Sequence, residues 1–318
     1  MDVLITGGAG YIGSTVANLF LDRKHKVSII DNLSTGKKIN VPKRSIFYKC
    51  DISDKKKVKK ILKKKFDVVL HFAAYANNNE SIKKPNKYLK NNYIKAKIFL
   101  ELCIASNIKN FIYSSTAAIY GNNIKKVKED EKPKPLSPYA KSKLSLEKFF
   151  YKKKNKINFI ILRYFNVGGV EKKLRCGFNI KNDSLISNLC KSFVNNKEFL
   201  IYGKTYNTKD GTAIRDYIHV TDLAKIHFKL SQKILKKKYC EVFNCGYGKP
   251  ISVKKMYDIF SKVSKKNPKI IYKSKRSKDI SISISNVSKL NREIYINHKE
   301  SKWLDLAKTS IDWYRSTQ

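Results

Sequence analysis

A tyrosine and a lysine four residues apart form the pair in this sequence that is best suited to chemistry. Tyr139 and Lys143 lie in the segment SPYAKSK, residues 137–143, and one helical turn places side chains with this spacing on the same face. A tyrosine hydroxyl has an ordinary pKa near ~10, and a cation ~4 Å away at an effective dielectric constant of ~20 favours the phenolate by ~4 kcal/mol, or roughly three pKa units. We therefore expect Tyr139 to act as a base near neutral pH. An exposed amphipathic pair is the alternative that the spacing alone leaves open.

A glycine-rich segment lies near the start of the sequence. Residues 6–13, TGGAGYIG, follow a short apolar run and precede an amphipathic one. Between a strand and a helix, glycines let backbone N–H groups approach a pyrophosphate at the helix N-terminus. We therefore expect Gly7, Gly10 and Gly13 to belong to a dinucleotide site, with a tight turn as the alternative. Asp31 ends the second predicted strand, where its carboxylate can bind an adenosine ribose and favours NAD over NADP.

Hydroxyl groups and small residues end two other predicted strands. Ser114, Ser115 and Thr116 follow one another at the end of the fifth strand. Their hydroxyls should emerge at the carboxyl edge of the sheet, where ligands of such folds bind. Thr116 can then share a proton with Tyr139, although a capping role is the alternative for these hydroxyls. Residues 72–74, FAA, end the fourth strand with small side chains, as a backbone close to a cofactor requires.

The elements that must position these residues alternate regularly. Short apolar runs occupy residues 3–5, 27–30, 46–50, 68–72, 111–114 and 159–163, and amphipathic segments between or after them occupy residues 12–23, 55–65, 85–106 and 138–153. Alternation of strand and helix predicts an α/β fold with a Rossmann-type, doubly wound parallel sheet.

The second half of the chain has a different pattern. After Asn166 a loop-rich stretch leads to a helix near residues 185–196 and a strand at Phe199–Tyr202, and sheet-like runs follow near residues 216–220 and 242–245. Helices are expected near residues 253–263 and 303–315. We predict a smaller mixed α/β substrate-binding domain that is interleaved with the first domain.

Composition narrows the class of protein. The chain has 318 residues and 42% hydrophobic residues, enough for a large core. Its formal net charge is +43, from 68 Lys and Arg against 25 Asp and Glu, which suggests nucleic-acid or membrane-surface binding. The lysines nevertheless lie in short runs spread along the sequence, so we interpret the charge mainly as biased composition that makes association with anions salt-dependent.

Other sequence features argue against a membrane, disulfide or metal protein. No signal-like segment precedes residues 3–5 and no run of 18 apolar residues occurs, so we expect a cytoplasmic protein. The six cysteines form no C-x-x-C pair and are expected to be free thiols. The five histidines lack the spacing of metal ligands, and no metal site is predicted.

Over nearly its whole length the chain resembles the extended short-chain dehydrogenase/reductases, and within them the branch that interconverts UDP-glucose and UDP-galactose. The resemblance rests on the glycine segment, on residues 31–36, 114–121, 137–143 and 163–166, and most specifically on residues 210–224, DGTAIRDYIHVTDLA. It implies reversible C4 epimerisation of UDP-hexoses, including the N-acetylhexosamines, through a 4-keto intermediate with tightly bound NAD. Such an activity belongs to galactose metabolism.

The resemblance also implies roles for individual residues. The catalytic residues are Thr116, Tyr139 and Lys143. The residues that contact NAD are Gly7, Gly10, Tyr11, Ile12, Gly13, Asp31, Asn32, Asp51, Ile52, Phe72, Ala73, Ala74, Asn92, Ser114, Tyr139, Lys143, Tyr164 and Phe165. The residues that hold the UDP-sugar are Thr116, Asn166, Tyr202, Arg215, Arg276, Asp279 and Ser283. The small side chain of Ser283 suggests room for an N-acetyl group.

The resemblance leads to two expectations about organisation. An NAD-binding Rossmann domain should span residues 1–166, with residues 212–248 returning to it, and the UDP-sugar-binding domain should span residues 167–211 and 249–318. A homodimer is expected through the helices near residues 85–106 and 138–153. Their apolar residues, for which an internal core is the alternative, are Ile98, Phe99, Leu102, Phe149 and Phe150.

The sequence departs from the family pattern and leaves some activities open. The family commonly has Arg-x-Gly-Asp where residues 276–279 read RSKD, which alters the turn that grips the diphosphate. A nucleotide-sugar 4,6-dehydratase needs an acidic pair after the hydroxyl, and this chain has Ala117 and Ala118 there. A uronic-acid epimerase or decarboxylase stays open, as does a non-catalytic protein that binds NAD or RNA.

Overall fold

The computed structural model describes residues 1–122, 126–181, 183–275, 280–295 and 301–318. The chain forms two compact units, each assembled from three stretches of sequence. The first unit comprises Met1–Ile119, Pro133–Tyr164 and Ala224–Phe243. The second unit comprises Tyr120–Lys132, Phe165–Leu223 and Asn244–Gln318.

A seven-stranded sheet is the centre of the first unit. Its strands are β1 (Asp2–Thr6), β2 (Lys26–Asp31), β3 (Ile46–Lys49), β4 (Val68–His71), β5 (Asn110–Thr116), β7 (Asn158–Tyr164) and β11 (Cys240–Cys245). Their order is β11-β7-β5-β4-β1-β2-β3, and the pairings from β3 through β7 are parallel. The order turns around at β1, as a doubly wound fold requires. The predicted Rossmann-type sheet is confirmed.

Helices connect these strands. They are α1 (Tyr11–Asp22), α2 (Lys55–Leu62), α3 (Asn78–Lys83), α4 (Pro85–Leu89), α5 (Ala96–Ala105), α6 (Pro138–Lys152) and α8 (Val220–Ile234). Short 3₁₀ turns occupy Lys38–Asn40 and Ala117–Tyr120. A π-helical stretch, Lys90–Lys95, joins α4 to α5, so the segment predicted as one helix over residues 85–106 has a widened turn in its middle. Helix α6 begins where Ser137 accepts a hydrogen bond from the Ala140 N–H and Pro138 occupies the first turn.

The core of the first unit lies on both faces of its sheet, because helices cover both sides of a parallel sheet. All four residues of β4 are buried. Aromatic rings form part of this core, and the Phe150 ring lies 5.1 Å from the Phe111 ring and 5.4 Å from the Phe159 ring, centroid to centroid.

Residues that were expected to form a dimer contact belong to this core. Phe99, Leu102, Phe149 and Phe150 are buried in it, and Ile98 packs against it. The internal-core alternative is therefore correct for these five side chains.

The second unit is a mixed α/β structure. Its strands are β6 (Lys126–Val127), β8 (Asn166–Gly168), β9 (Phe199–Tyr202), β10 (Ile214–His219), β12 (Pro250–Ser252), β13 (Ile270–Lys273) and β14 (Ile282–Ser285). One sheet has the order β12-β10-β14-β6 with β8 paired to β10, and β9 pairs with β13 in a separate two-stranded sheet. The helices are α7 (Leu185–Asn195), α9 (Val253–Ser264), α10 (Ser288–Glu293) and α11 (Ser301–Ser316), and α11 packs against α7 and α9.

The unit boundaries differ from the predicted domain boundaries, and the first unit's long stretch ends at Tyr164, two residues before the predicted boundary. Residues 212–248 were expected to return to the first domain, but only Ala224–Phe243 do so, because β10 pairs with β8, β12 and β14. Tyr120–Lys132 belongs to the second unit, where β6 pairs with β14.

Within the described ranges, every helix is too short or too polar to cross a bilayer.

Candidate active site

The three side chains predicted to be catalytic all belong to the first unit. Thr116 ends β5, and Tyr139 and Lys143 lie one turn apart at the start of α6. Thr116 is 8% exposed and Lys143 is 3% exposed. Burial raises the pKa of Tyr139 above its ordinary value, although a hydrogen bond with the Thr116 side chain acts in the opposite direction. The Thr116–Tyr139 pairing that the strand end suggested is therefore present.

The pKa of Tyr139 shifts upward, whereas the sequence led us to expect a downward shift caused by Lys143. Burial lowers the pKa of Lys143 to about 7, while the charge of Glu147 opposes that change. The Lys143 Nζ lies over the ring of Tyr113, 4.5 Å from its centroid. The expected lowering of the Tyr139 pKa is therefore wrong in direction for the folded chain, because burial outweighs the hydrogen bond with Thr116.

Tyr88 of α4 supports the ring of Tyr139 and was not predicted from the sequence. The two rings meet edge to face, with centroids 6.3 Å apart. Tyr88 is fully buried, and its hydroxyl donates to Glu80 Oε2 at 2.8 Å. Glu80 also accepts from Lys87 Nζ at 2.7 Å. Because the Tyr88 hydroxyl is committed to Glu80, this tyrosine orients Tyr139 without competing for its proton.

The glycine segment forms a tight turn between β1 and α1. Gly7 has a φ angle of +73°, and a Cβ atom added to it would lie 2.6 Å from the Ala73 backbone nitrogen. A Cβ atom added to Gly13 would lie 2.4 Å from the Gly7 carbonyl oxygen. Gly10 is the N-cap residue of α1 and provides no side-chain cap. The first turn of the helix thus presents backbone N–H groups without a side chain in front of them, which fits a dinucleotide pyrophosphate.

Asp31 holds this turn against the loop that follows β2. Its carboxylate accepts hydrogen bonds from the Ala9 N–H at 3.0 Å and the Leu33 N–H at 2.8 Å. Asp31 is 8% exposed. A carboxylate has about four acceptor positions, so two positions remain for the hydroxyls of a ribose. The residue therefore has the chemistry expected of the NAD-specific acid.

Asp51 and Asn32 form a polar cluster after β2 and β3. Asn32 Nδ2 donates to Asp51 Oδ2 at 3.1 Å, and Lys95 Nζ approaches the same oxygen at 2.6 Å. Burial acts to raise the pKa of Asp51, but hydrogen bonds from Lys95 and Ser53 outweigh it and lower the pKa to about 2. Asp51 is therefore ionised at neutral pH. Sequence reasoning did not identify Lys95, which reaches this cluster from the π-helical stretch.

Asn92, in the same π-helical stretch, is committed to bonds within the unit. Its side-chain oxygen accepts from the Tyr75 N–H at 2.9 Å, and its side-chain nitrogen donates to the Tyr75 carbonyl at 2.9 Å and the Ser142 hydroxyl at 3.3 Å. The residue joins the segment after β4 to α6. Its predicted contact with NAD stays a prediction.

Phe72 and Tyr164 lie against a histidine of α8. The Phe72 ring is 4.9 Å from the His227 ring, centroid to centroid, and the Tyr164 hydroxyl is 2.6 Å from His227 Nε2. The other NAD-contact candidates of the first unit lie near the ends of the same parallel strands or at the start of α1. These are Tyr11, Ile12, Ile52, Ala73, Ala74 and Ser114. Their side chains are buried or half-buried.

Four of the predicted UDP-sugar residues, Asn166, Tyr202, Arg215 and Ser283, lie in the second unit, whereas Thr116 belongs to the first unit. Phe165 also belongs to the second unit, next to Asn166 in the chain. Arg215 of β10 and Ser283 of β14 are paired residues in neighbouring strands, so their side chains project from the same face of the sheet. Arg215 Nη1 donates to the carbonyl oxygens of Ile214 at 2.9 Å and Ser281 at 3.3 Å. Asn166 of β8 pairs with Tyr217 of β10, two residues beyond Arg215 in the same strand.

The remaining substrate candidates lie apart from this sheet or outside the description. Tyr202 ends β9, in the separate two-stranded sheet. Arg276 and Asp279 lie outside the described residues. The described part of the second unit thus brings together three of the predicted residues, Asn166, Arg215 and Ser283, through the pairing of β10 with β8 and β14.

The chain is similar to several characterised proteins. Residues 3–246 match the NAD dependent epimerase/dehydratase family. The sequence is 36% identical to UDP-arabinose 4-epimerase 1 of Arabidopsis thaliana, over 98% of this chain and 79% of that protein. It is 34% identical to a UDP-glucose 4-epimerase of Lactobacillus helveticus, over 99% of this chain and 98% of that protein.

A solved structure has nearly the same fold. It is a UDP-glucose-4-epimerase from Stenotrophomonas maltophila with bound NAD and formylated UDP-arabinopyranose. The TM-score is 0.95 at 27% identity, over 100% of this chain and 98% of that one. The glycine turn, Asp31 and the Thr116, Tyr139 and Lys143 side chains accord with a cofactor of this kind. By its sequence and its fold, the chain belongs to the NAD-dependent epimerase/dehydratase family.

Proposed function

We propose that the protein is a nucleotide-sugar 4-epimerase that inverts C4 of a UDP-hexose through a transient 4-keto sugar. The observation that carries the proposal is the arrangement of Thr116, Tyr139 and Lys143 at the end of β5 and the start of α6. The same unit holds the glycine turn and Asp31, which fit NAD. The combination of a proton-transfer centre with a dinucleotide site supports oxidation and reduction at one sugar carbon.

Tyr139, Thr116 and Lys143 each have a separate part in the proposed proton transfer. Tyr139, helped by the Thr116 hydroxyl, removes the proton from the sugar O4 and later returns it. Lys143 as an ammonium stabilises the phenolate that this transfer needs. NAD, which the glycine turn and Asp31 would hold, would accept and return the hydride at C4. Burial raises the pKa of Tyr139, and the Thr116 hydrogen bond and the Lys143 ammonium act against that burial in the proposed reaction.

The residues of the second unit hold the nucleotide. The Arg215 guanidinium offers charge-assisted hydrogen bonds to a diphosphate, and Arg276 has the same chemistry. Epimerisation requires a sugar that can turn over and present its other face while the nucleotide stays bound. Tight contacts to UDP and weak contacts to the hexose meet that requirement, since binding energy then does not oppose the turn. The small side chain of Ser283 is consistent with a roomy sugar site.

The substrate range is the part of the proposal that the relatives refine. One relative is named for UDP-glucose and another for UDP-arabinose. We propose UDP-glucose and UDP-galactose as the first substrate pair and their N-acetylated forms as the second. A UDP-pentose is the candidate that the similarity to the plant protein adds.

The test is direct conversion by the purified protein. We expect UDP-galactose to yield UDP-glucose, and chromatography of each reaction would resolve the C4 epimers of UDP-N-acetylgalactosamine, UDP-arabinose and UDP-galacturonate as well. The Tyr139→Phe variant, purified in the same way, controls for a contaminating epimerase. Conversion of the uronate alone would favour the uronic-acid alternative. Unchanged sugar nucleotides, together with nanomolar RNA binding at physiological salt, would favour a non-catalytic protein.

We also propose a homodimer, which rests on the family resemblance. The helices expected at the contact expose other apolar side chains, Leu89, Ile94 and Tyr151, which are 46%, 46% and 42% exposed. Light scattering at low micromolar concentration should give twice the chain mass of 36.8 kDa. A monomer mass would contradict the proposal, and Ile94→Lys should shift a dimer toward monomer.

A further inference from the structure

A buried carboxylate continues the line of chemical groups on α6. Glu147 lies one turn beyond Lys143, on the helix face that Tyr139 and Lys143 share, and is 2% exposed. Arg163 donates from Nε to Glu147 Oε1 at 3.2 Å and from Nη2 to Oε2 at 2.7 Å. The Ser115 hydroxyl also donates to Oε1. These three hydrogen bonds fix the Glu147 carboxyl group in one orientation.

These partners belong to the strands that carry the site. Ser115 precedes Thr116 in β5, and Arg163 precedes Tyr164 in β7. The Glu147 side chain therefore bonds α6 to two neighbouring strands of the sheet, directly next to the residues that the proposed reaction uses. A shift of α6 along β5 would break these bonds first.

We infer that Glu147 is a positioning residue for the epimerisation proposed above, on which this inference rests. Its carboxylate keeps the Lys143 ammonium charged within a buried site and holds α6 in register with β5. Tyr139, Lys143 and Thr116 consequently keep their relative positions while the proton moves between the sugar and the phenol.

Among the ionisable groups that affect Lys143, Glu147 is the one whose charge raises the pKa of the lysine. His71 of β4 is neutral, because burial and then the charge of Lys143 lower its pKa to about 3. Tyr113 of β5 is neutral as well, because burial raises its pKa well above the ordinary value. Glu147 acts to raise the pKa of Lys143, which burial lowers to about 7. Arg163 of β7 adds a positive charge that is paired with Glu147.

The first test is the pH profile of turnover in Glu147→Gln. Glutamine keeps the size of the side chain and one acceptor oxygen but removes the charge. Loss of this charge should lower the apparent pKa of the Tyr139 and Lys143 pair, because Glu147 acts to raise the pKa of Lys143. We expect the alkaline limb of the kcat profile to move to lower pH, with roughly a tenfold lower rate at a fixed pH on the limb. KM should change little.

Two matched variants separate positioning from stability. Glu147→Asp restores the charge and should move the alkaline limb back toward its wild-type position. Leu146→Ala removes a buried apolar side chain from the same helix, 1% exposed, without a change of charge. It should lower the thermal stability of the protein and leave the limb in place. If Glu147→Gln behaves like Leu146→Ala, the inference is wrong.

A second readout does not require epimerase activity. The pH dependence of the thermal midpoint would be compared between wild type and Lys143→Met, and again between Glu147→Gln and Glu147→Gln/Lys143→Met. Within each pair, the difference between the two thermal midpoints changes with pH where Lys143 loses its proton. We expect the release in the Glu147→Gln background to begin at a lower pH. Coincident curves would overturn the role of Glu147 even if wild type epimerises a UDP-sugar, whereas an inactive wild type with shifted curves would contradict only the proposed function.

Discussion

The Lys143 Nζ lies 4.5 Å from the centroid of the Tyr113 ring. The face of an aromatic ring attracts a cation but takes no proton from it. Tyr113 therefore stabilises the charged form of a lysine that burial would otherwise neutralise. The Tyr113 hydroxyl also donates to the Lys143 carbonyl oxygen at 3.4 Å, which ties the same turn of α6 to β5.

Removal of the buried ammonium should increase stability in a pH-dependent way. Lys143 has a folded-state pKa of about 7 against an ordinary value of 10.5. The unfolded chain binds more protons between these values, so stability should rise with pH across that window. Below about pH 7 the full cost is present, on the order of 5 kcal/mol. We expect Lys143→Met to raise the thermal midpoint at pH 6.5 and to have little effect near pH 10.

Scanning calorimetry of Lys143→Met at both pH values checks this prediction. Lys141→Met, an exposed lysine on the same helix, is the matched control and should change the midpoint little at either pH. An unchanged or lower midpoint for Lys143→Met at pH 6.5 would show that the ammonium carries no burial cost. The variant should also lose most of its turnover, since the phenolate loses its cation.

Loss of the Tyr139 hydroxyl should stop the proton transfer. We expect Tyr139→Phe to lower kcat by about 10²–10⁴-fold, the usual contribution of a positioned acid or base. Bound NAD should be retained, because the ring and its contact with Tyr88 remain. Tyr151→Phe is the control, as Tyr151 lies on the same helix and is 42% exposed. Steady-state measurement of kcat for the two variants tests this prediction. Near-normal turnover in Tyr139→Phe would contradict the proposed mechanism.

The glycine turn should respond to methyl groups in a graded manner. In Gly13→Ala the new Cβ atom would lie 2.4 Å from the Gly7 carbonyl oxygen, so the turn must open. In Gly10→Ala the nearest atom is the same oxygen at 3.2 Å, which a small shift relieves. We expect Gly13→Ala to lose most of its NAD and several degrees of thermal midpoint, and Gly10→Ala to lose clearly less stability. Cofactor content after purification and melting curves would show the order, and a reversed order would contradict it.

Neutralising Asp31 should change the cofactor preference. Asparagine can accept one of the two backbone hydrogen bonds and presents an N–H group to the other donor. Its lost charge no longer repels a 2′-phosphate. We expect Asp31→Asn to bind NADH at least about tenfold more weakly, since one charged hydrogen bond contributes about 1.5–3 kcal/mol, and to discriminate less against NADPH. Fluorescence titration measures both affinities. Asp258→Asn, with a 46% exposed side chain in α9, should bind both cofactors as wild type does.

The elements predicted well from the sequence are those with a strong local pattern. The strand at Phe199–Tyr202 has the predicted bounds, and α6 ends within one residue of its prediction. Helix α8, Val220–Ile234, was overlooked although Leu223, Ile226 and Leu230 recur at helical spacing.

Other features depend on contacts distant in sequence. Strands β6, β8 and β12 have two or three residues each, too few to show a period. The membership of β10 in a second sheet follows from its partners, and local sequence does not determine a strand's partners. The π-helical turn at Lys90–Lys95 has no recognised signal in the amino-acid pattern.

The candidate site also has some features that local sequence predicts and others that depend on the folded structure. Spacing and position at a strand end are local properties, so they were enough to select Thr116, Tyr139 and Lys143 as candidates. The direction of the Tyr139 pKa shift was wrong, since burial is a property of the folded unit. Glu147 repeats the four-residue spacing of Tyr139 and Lys143, and this signal was available in the sequence.

The place of β11 at the end of the sheet has a consequence for biosynthesis. Strand β7, with the buried run Phe159–Leu162, lies between β5 and β11. At about 5–20 residues per second, a ribosome needs roughly 4–15 seconds to make the stretch of chain between β7 and β11. During that interval one edge of the apolar strand β7 has unpaired backbone N–H and C=O groups. Such an edge can pair with another chain and cause aggregation. Coexpressed chaperones, which cover exposed apolar segments, should therefore raise the yield of recombinant protein.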